Sequence, residues 1–205
     1  MPSISPIAHF ATLAVLFNAA TAATEVRLNT GVCRTLPGAI PNIDKGNTVV
    51  GEVSLYAVGT GAHLDGLPAS WGSITETQRG LPPWETMGLH NATGIARYLI
   101  GCQDETGLGT FLGGAKAIRI NTDKESTLVL NNYGLIPEPY SYYVDGTKQP
   151  GVYMGAAGEV RWAWSEATST NGVTYWKPRL LIATDSNPSG KELRQGEVQG
   201  FLVAK

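Results

Sequence analysis

EVRWAWSEATSTNGVTYWKPRLLIA (159–183) is the stretch whose reading decides the fold. EVRWAW (159–164) alternates: Val160, Trp162 and Trp164 fall on one face, Glu159 and Arg161 on the other. A period of two is the mark of a strand with one face buried. VTYWKPRLLIA (173–183) is a second run rich in aromatic and aliphatic residues. Between the two lies SEATSTNG, whose Asn171-Gly172 pair suits a tight turn, because both residue types tolerate positive φ. The stretch therefore predicts two antiparallel strands. Pro178 cannot donate to a ladder, which places it at an edge or a bulge.

The same pattern recurs on either side. SYYVDGTKQPGVYMG (141–155) carries Asp145-Gly146, the strongest hairpin signal of the chain. AKAIRIN (115–121) and STLVLNN (126–132) flank the polar, turn-sized Thr122–Glu125 and read as another hairpin. GNTVVGEVSLYAV (46–58) alternates as one half-buried strand, and GEVQGFLVA (196–204) as a closing strand after a polar loop. GLGTFLGGAKA (107–117) resembles a glycine-rich turn leading into a strand. Helical signal is thin. The best window, 85–101, is interrupted by Gly88 and Gly94, and its second half, Ile95–Ile100, reads as strand. Twenty-five glycines and twelve prolines fit many turns. The expected fold is all-β, one barrel or sandwich of roughly eight to ten mostly antiparallel strands with little helix.

The N-terminus predicts the compartment. No charged residue precedes Glu25, an apolar run from Ile7 to Phe17 is followed by small residues, and Ala20-Thr21-Ala22 fits a secretory cleavage pattern. The run is shorter than the roughly 20 residues that a membrane span needs. Residues 1–22 are read as a secretory signal peptide, an anchored segment being the alternative, and 23–205 as a single β domain. The mature chain is expected to be secreted or extracytoplasmic, without a membrane span. Cys33 and Cys102, the only cysteines, are expected to form one disulfide in an oxidising compartment. A formal net charge of −2 with no basic cluster excludes a phosphate-backbone surface, so nucleic acid is not an expected partner. Oligomeric state is not encoded in any motif.

Candidate chemistry is sparse. GLPPWETMGLHNATG (80–94) reads as an irregular loop that concentrates Trp84, Glu85, His90 and the Asn91-Ala92-Thr93 glycosylation acceptor. Trp84 follows two stiffening prolines and suits stacking on a ligand, or plugs a sheet end. Glu85 and His90 are the leading candidates for a general-base pair, if the protein is an enzyme. His63 and Asp65, in the glycine-rich GTGAHLDG (59–66), are a second such couple. With two histidines in the mature chain and no spare thiol, neither a metal site nor a cofactor is expected. No motif marks a serine hydrolase or a phosphate loop.

The richest group is aromatic: Tyr140, Tyr142 and Tyr153 around the Asp145-Gly146 turn, with Trp162 and Trp164 on the neighbouring strand. Large aromatics at spacing two fill a core, or line a pocket for an apolar or ring-shaped ligand. Two functional readings follow. The first is a secreted protein that binds a small apolar or aromatic ligand or a glycan through an aromatic-lined pocket, Trp84 included. The second is a cofactor-independent secreted isomerase, cyclase or hydrolase with a His, carboxylate and Tyr pocket. The same β scaffold hosts either.

Overall fold

The structure is a computed structural model and describes residues 22–31, 33–41, 48–50, 53–61, 64–65, 70–76, 84–90, 100–103, 107–110, 116–122, 125–168, 172–185 and 187–205. The expected signal peptide, His63 and Asn91 lie outside the described residues, apart from Ala22 at the end of the peptide. All helix or strand among the described residues is β: sixteen strands, against the eight to ten expected. The first half of the chain supplies β1 Thr24–Leu28, β2 Ala39–Pro41, β3 Thr48–Val50, β4 Leu55–Val58, β5 Ser70–Glu76, β6 Trp84–His90, β7 Ile100–Gln103 and β8 Gly107–Thr110. The second half supplies β9 Lys116–Asn121, β10 Thr127–Leu130, β11 Glu138–Val144, β12 Thr147–Lys148, β13 Val152–Gly155, β14 Arg161–Thr168, β15 Thr174–Leu180 and β16 Val198–Ala204.

The 159–183 stretch folds as its alternation requires. β14 and β15 are antiparallel in register from Trp162↔Leu180 to Thr168↔Thr174, so the first half of SEATSTNG, Ser165–Thr168, continues the strand. Pro178 is not at an edge, since β15 has neighbours on both sides. It falls between Trp176, the residue paired with β6, and Arg179, paired with β10. A residue without an N–H is tolerated where one neighbour gives way to the next. The Asp145-Gly146 turn has φ of 48° and 75°, the left-handed pair of a type I′ hairpin, and joins β11 to β12 through Val144↔Thr147. β9 and β10 form the expected hairpin around 122–125, with Glu125 and Ser126 at positive φ.

Three expectations change. The 46–58 run is two strands: β3 pairs with β2 and β7, whereas β4 pairs with β16. Residues 84–90, read as loop and as the start of a helix window, are strand β6, hydrogen-bonded to β5 along its length. Val160 does not share a face with Trp162 and Trp164, because β14 begins only at Arg161, after the Ala156↔Glu159 bridge has turned the chain.

The strands join in the order β1-β11-β13-β16-β14-β15-β6-β10-β9-β8-β7-β3-β2, with β12 beside β11, β4 beside β16 and β5 beside β6. Thirteen strands laid flat at about 4.8 Å spacing make a sheet roughly 58 Å wide. Its two outermost strands, β1 and β2, are nevertheless joined by residues 29–38 alone, a connection that reaches at most about 40 Å. The sheet therefore cannot lie flat. It curls into an antiparallel half-barrel. Its concave face carries the main core, including Leu55, Met87, Leu89, Ile118, Ile120, Leu128, Trp162, Trp164, Leu180 and Leu202. The Cys33–Cys102 disulfide, closed across a separation of 69 residues, lies in the same core and fastens the β1–β2 connection to β7. No helix among the described residues is long and apolar enough to cross a membrane.

Candidate functional site

On β11, β13 and β16 the alternation produces a second apolar face. Met154, Leu202 and Ala204 point into the main core. Their neighbours Tyr153 and Val203 point the other way and form a separate cluster with Tyr140 and Val160. Val26, Val58, Tyr142 and Phe201 pack against it. The ladders dictate this meeting: Tyr140↔Tyr153, Tyr153↔Val203, Val26↔Tyr142 and Phe201↔Val58 are cross-strand partners, and such partners share a face.

Three rings form the centre. Tyr142 and Phe201 lie 4.9 Å apart by centroid, Tyr142 and Tyr153 5.1 Å, and Tyr153 meets Phe201 edge-on at 5.3 Å. These are favourable aromatic separations, each pair contributing about 1 kcal/mol beyond its buried area. Tyr140 and Tyr153 are buried and make the floor, while Tyr142 and Phe201 are half-buried and present ring surface to solvent. The Tyr140 hydroxyl is already engaged. It donates to Glu138 Oε2 at 2.5 Å and accepts from the Gly158 N–H at 3.0 Å. Burial, then the bond to Glu138, pushes this phenol up to about 12. Burial also pushes Tyr153 up, with Tyr142 adding to it.

The rim is polar. Arg161 is the ladder partner of Phe201 and grips Glu159 with two bonds, Nε to Oε1 at 2.9 Å and Nη2 to Oε2 at 2.6 Å. Burial raises the Glu159 carboxyl, but its bonds from the Arg161 side chain and from the Arg161 and Val160 N–H groups outweigh that and hold it below the usual carboxylate value. At another side the Lys205 ammonium sits 5.6 Å from the Tyr56 ring centroid, and Tyr56 is the ladder partner of Val203. A ring-bearing or apolar ligand laid on Tyr142 and Phe201 would thus meet a guanidinium–carboxylate pair at its edge.

The aromatic group read from the sequence divides between two faces. Tyr140, Tyr142 and Tyr153 come together. Trp162 and Trp164 lie on the opposite face, 0% exposed, inside the main core, where Trp162 Nε1 donates to Met154 O at 2.8 Å. They offer a ligand no surface. Trp84 opens strand β6, away from this cluster in the sheet order. Phe201 was missed among the site candidates. Its signal was available in the alternation of QGFLVA, where Leu202 takes the core and Phe201 faces outward.

The acid–base couples fare differently. Glu85 and His90 are on one strand, five positions apart, a backbone separation of about 17 Å. The structure does not bring these positions together. His90 is 4% exposed, opposite Ser70 in the ladder. The Asp65 carboxylate accepts from Thr60 N at 2.8 Å, Thr60 Oγ1 at 2.7 Å and Gly61 N at 3.2 Å. It ties down a turn in which Gly59 and Gly61 have φ of 71° and 64°. No protein-family model matches the chain, and no curated protein matches it.

Proposed function

We propose that this protein is exported and holds a small apolar or aromatic ligand, or a glycan, against the outward face formed by Tyr142, Phe201 and Tyr153. The observation that carries the reading is the half-exposure of Tyr142 and Phe201 over a buried tyrosine floor, with the Arg161–Glu159 pair beside them. Rigid aromatic faces lose little side-chain entropy on binding, and the planar rings stack on sugar rings and on aromatic ligands. The leader-like N-terminus, the Asn91-Ala92-Thr93 acceptor and the disulfide support an oxidising, extracytoplasmic setting. An enzyme built on Glu85 and His90 gains no support from their separation on β6.

Saturation-transfer NMR and calorimetry against a panel of glycans and apolar metabolites test the proposal. Tryptophan fluorescence is a poor reporter, because Trp162 and Trp164 face the other side of the sheet. For a responding ligand, Tyr142→Ala and Phe201→Ala are each expected to weaken binding about tenfold, as removal of a stacking ring does. A panel without any binder, or binding that both substitutions leave unchanged, overturns the assignment of this face.

A further inference from the structure

Two arginines are buried on the sheet face that turns away from the main core, and their surroundings differ. Arg179 is 3% exposed and fully engaged: Nε and Nη2 reach Glu197, Nη1 reaches Gly190 O, and Nη2 also reaches Glu192 O. Arg119 is 8% exposed, and its guanidinium makes one bond, Nη1 to Ile118 O at 2.8 Å. No carboxylate pairs with it among the described residues. A guanidinium has five N–H donors and keeps its charge at any pH a protein experiences, so burial without a counter-charge is unfavourable.

The ladders place a second polar group in the same row. Arg119 pairs with Val129, and Val129 with Thr86, so Arg119 and Thr86 lie on one face about 10 Å apart with a valine between them. Thr86 is 0% exposed, and its hydroxyl has no hydrogen-bond partner among the described residues. The turn around Gly134 runs alongside β9, where Leu135 bridges Ile120 through two backbone hydrogen bonds. A Cβ at Gly134, which has φ of 115°, would stand 3.3 Å from the Arg119 Cβ. In the same turn Tyr133 is 79% exposed and Ile136 40%.

We propose that Arg119 anchors a binding site for the carboxylate or phosphate group of a small anionic ligand, with the Thr86 hydroxyl as a further donor. The planar guanidinium matches either group through two parallel bonds, and the ligand supplies the counter-charge that the described residues do not. The site is separate from the aromatic face, since β14, β15, β6 and β10 lie between β16 and β9 in the sheet. It therefore stands or falls independently of that reading.

The test is thermal denaturation of the full chain at constant ionic strength, with chloride replaced stepwise by phosphate, sulfate, acetate or citrate. The melting temperature is expected to rise saturably with at least one class. A response to phosphate and sulfate alone identifies a phosphate group, and a response to acetate and citrate alone a carboxylate. Arg119→Met is expected to melt no lower than the parent in chloride, because it removes an unbalanced charge, and to lose the response. Thr86→Val is expected to weaken it at least fivefold. If Arg119→Met does not fold, the Arg119 Nε–Hε NMR signal of the unaltered protein decides. It must shift on titration while that of Arg179 stays in place. No saturable response to either class, a response that survives in Arg119→Met, or an unmoved Arg119 signal overturns the proposal.

Discussion

Arg179 and Glu197 face each other through two parallel hydrogen bonds, Nε to Oε1 at 3.0 Å and Nη2 to Oε2 at 2.6 Å, with side chains only 3% and 7% exposed. The same arginine holds the carbonyls of Gly190 and Glu192, so it anchors the long polar connection between β15 and β16 to the sheet. Breaking a buried pair by removing one partner leaves the other charge uncompensated. Arg179→Met is expected to cost about 3–5 kcal/mol in urea denaturation. A loss below 1 kcal/mol would show that the pair is not the fastening of this connection.

The same pair predicts an acid dependence. Burial raises the Glu197 carboxyl, but the bonds from Arg179 and from the Arg194 N–H outweigh it and hold the group below its ordinary 4.5. A carboxyl lowered in the folded state contributes stability that is complete above about pH 4.5 and is lost as pH falls through the folded value. Glu159, held low by Arg161, acts in the same direction. Unfolding free energy measured from pH 6 down to pH 2 is expected to decline steadily, and Glu197→Gln to flatten part of that decline.

Tyr140 acts at the other end of the scale. Its phenol is pushed up to about 12, so the protonated form is favoured in the folded protein. The stabilisation is complete below about pH 10 and is lost as pH rises through 12. Ultraviolet titration should show a late tyrosine ionisation near pH 12, and Tyr140→Phe should abolish that step. A curve unchanged in the variant would assign the late step elsewhere.

Gly155 and Gly158 make a paired prediction about backbone space. A Cβ at Gly155 would overlap the Glu159 carbonyl oxygen and crowd Val160 Cα, which are backbone atoms that cannot turn aside. At Gly158 nothing lies within 4 Å, and only the φ of 79° penalises a side chain. Gly155→Ala is expected to cost about 3 kcal/mol and to disturb the turn that carries Glu159. Gly158→Ala should cost about 1 kcal/mol. Equal effects at the two positions would contradict the close approach.

Legibility followed local signal. The β11–β12, β9–β10 and β14–β15 pairings could be read because the sequence between their strands is short and carries turn-forming residues, Asp145-Gly146 above all. β6 could not. Residues 86–90 are buried at every position, so the alternation that identifies a half-buried strand is missing, and two prolines before Trp84 point to a loop. The 46–58 run failed for a different reason. Its pattern of two is genuine, but pattern alone does not say that the chain changes neighbours between Val50 and Leu55. At the candidate site, composition marked the tyrosines. Which aromatics shared a face depended on where β14 begins, and one residue of offset at Val160 separated Trp162 and Trp164 from the tyrosine cluster.

The disulfide closes a loop of about 70 residues, for which the chain-entropy estimate gives roughly 4 kcal/mol. Cys33→Ser with Cys102→Ser, or reduction, is expected to lower the unfolding free energy by an amount of that order. Denaturant titration with and without reductant measures it, and a difference within 1 kcal/mol would mean that the reduced chain is already restrained.

That covalent loop spans β2 to β6 and most of β7, and these strands end up in distant parts of the sheet. β4 reaches β16, β6 inserts beside β15 and β10, and β2 and β3 form the far edge. The later strands, β9 to β16, are joined largely by hairpins between near neighbours in sequence. Near pairings form fast and distant ones slowly. Assembly is thus expected to begin in the C-terminal half, which supplies the free edges onto which the looped segment docks. A chain emerging N-terminus first can close the β2–β3 and β5–β6 pairs early, but β4 must wait for its partner until β16 arrives at 198–204, and during that interval β4 is the strand exposed to aggregation.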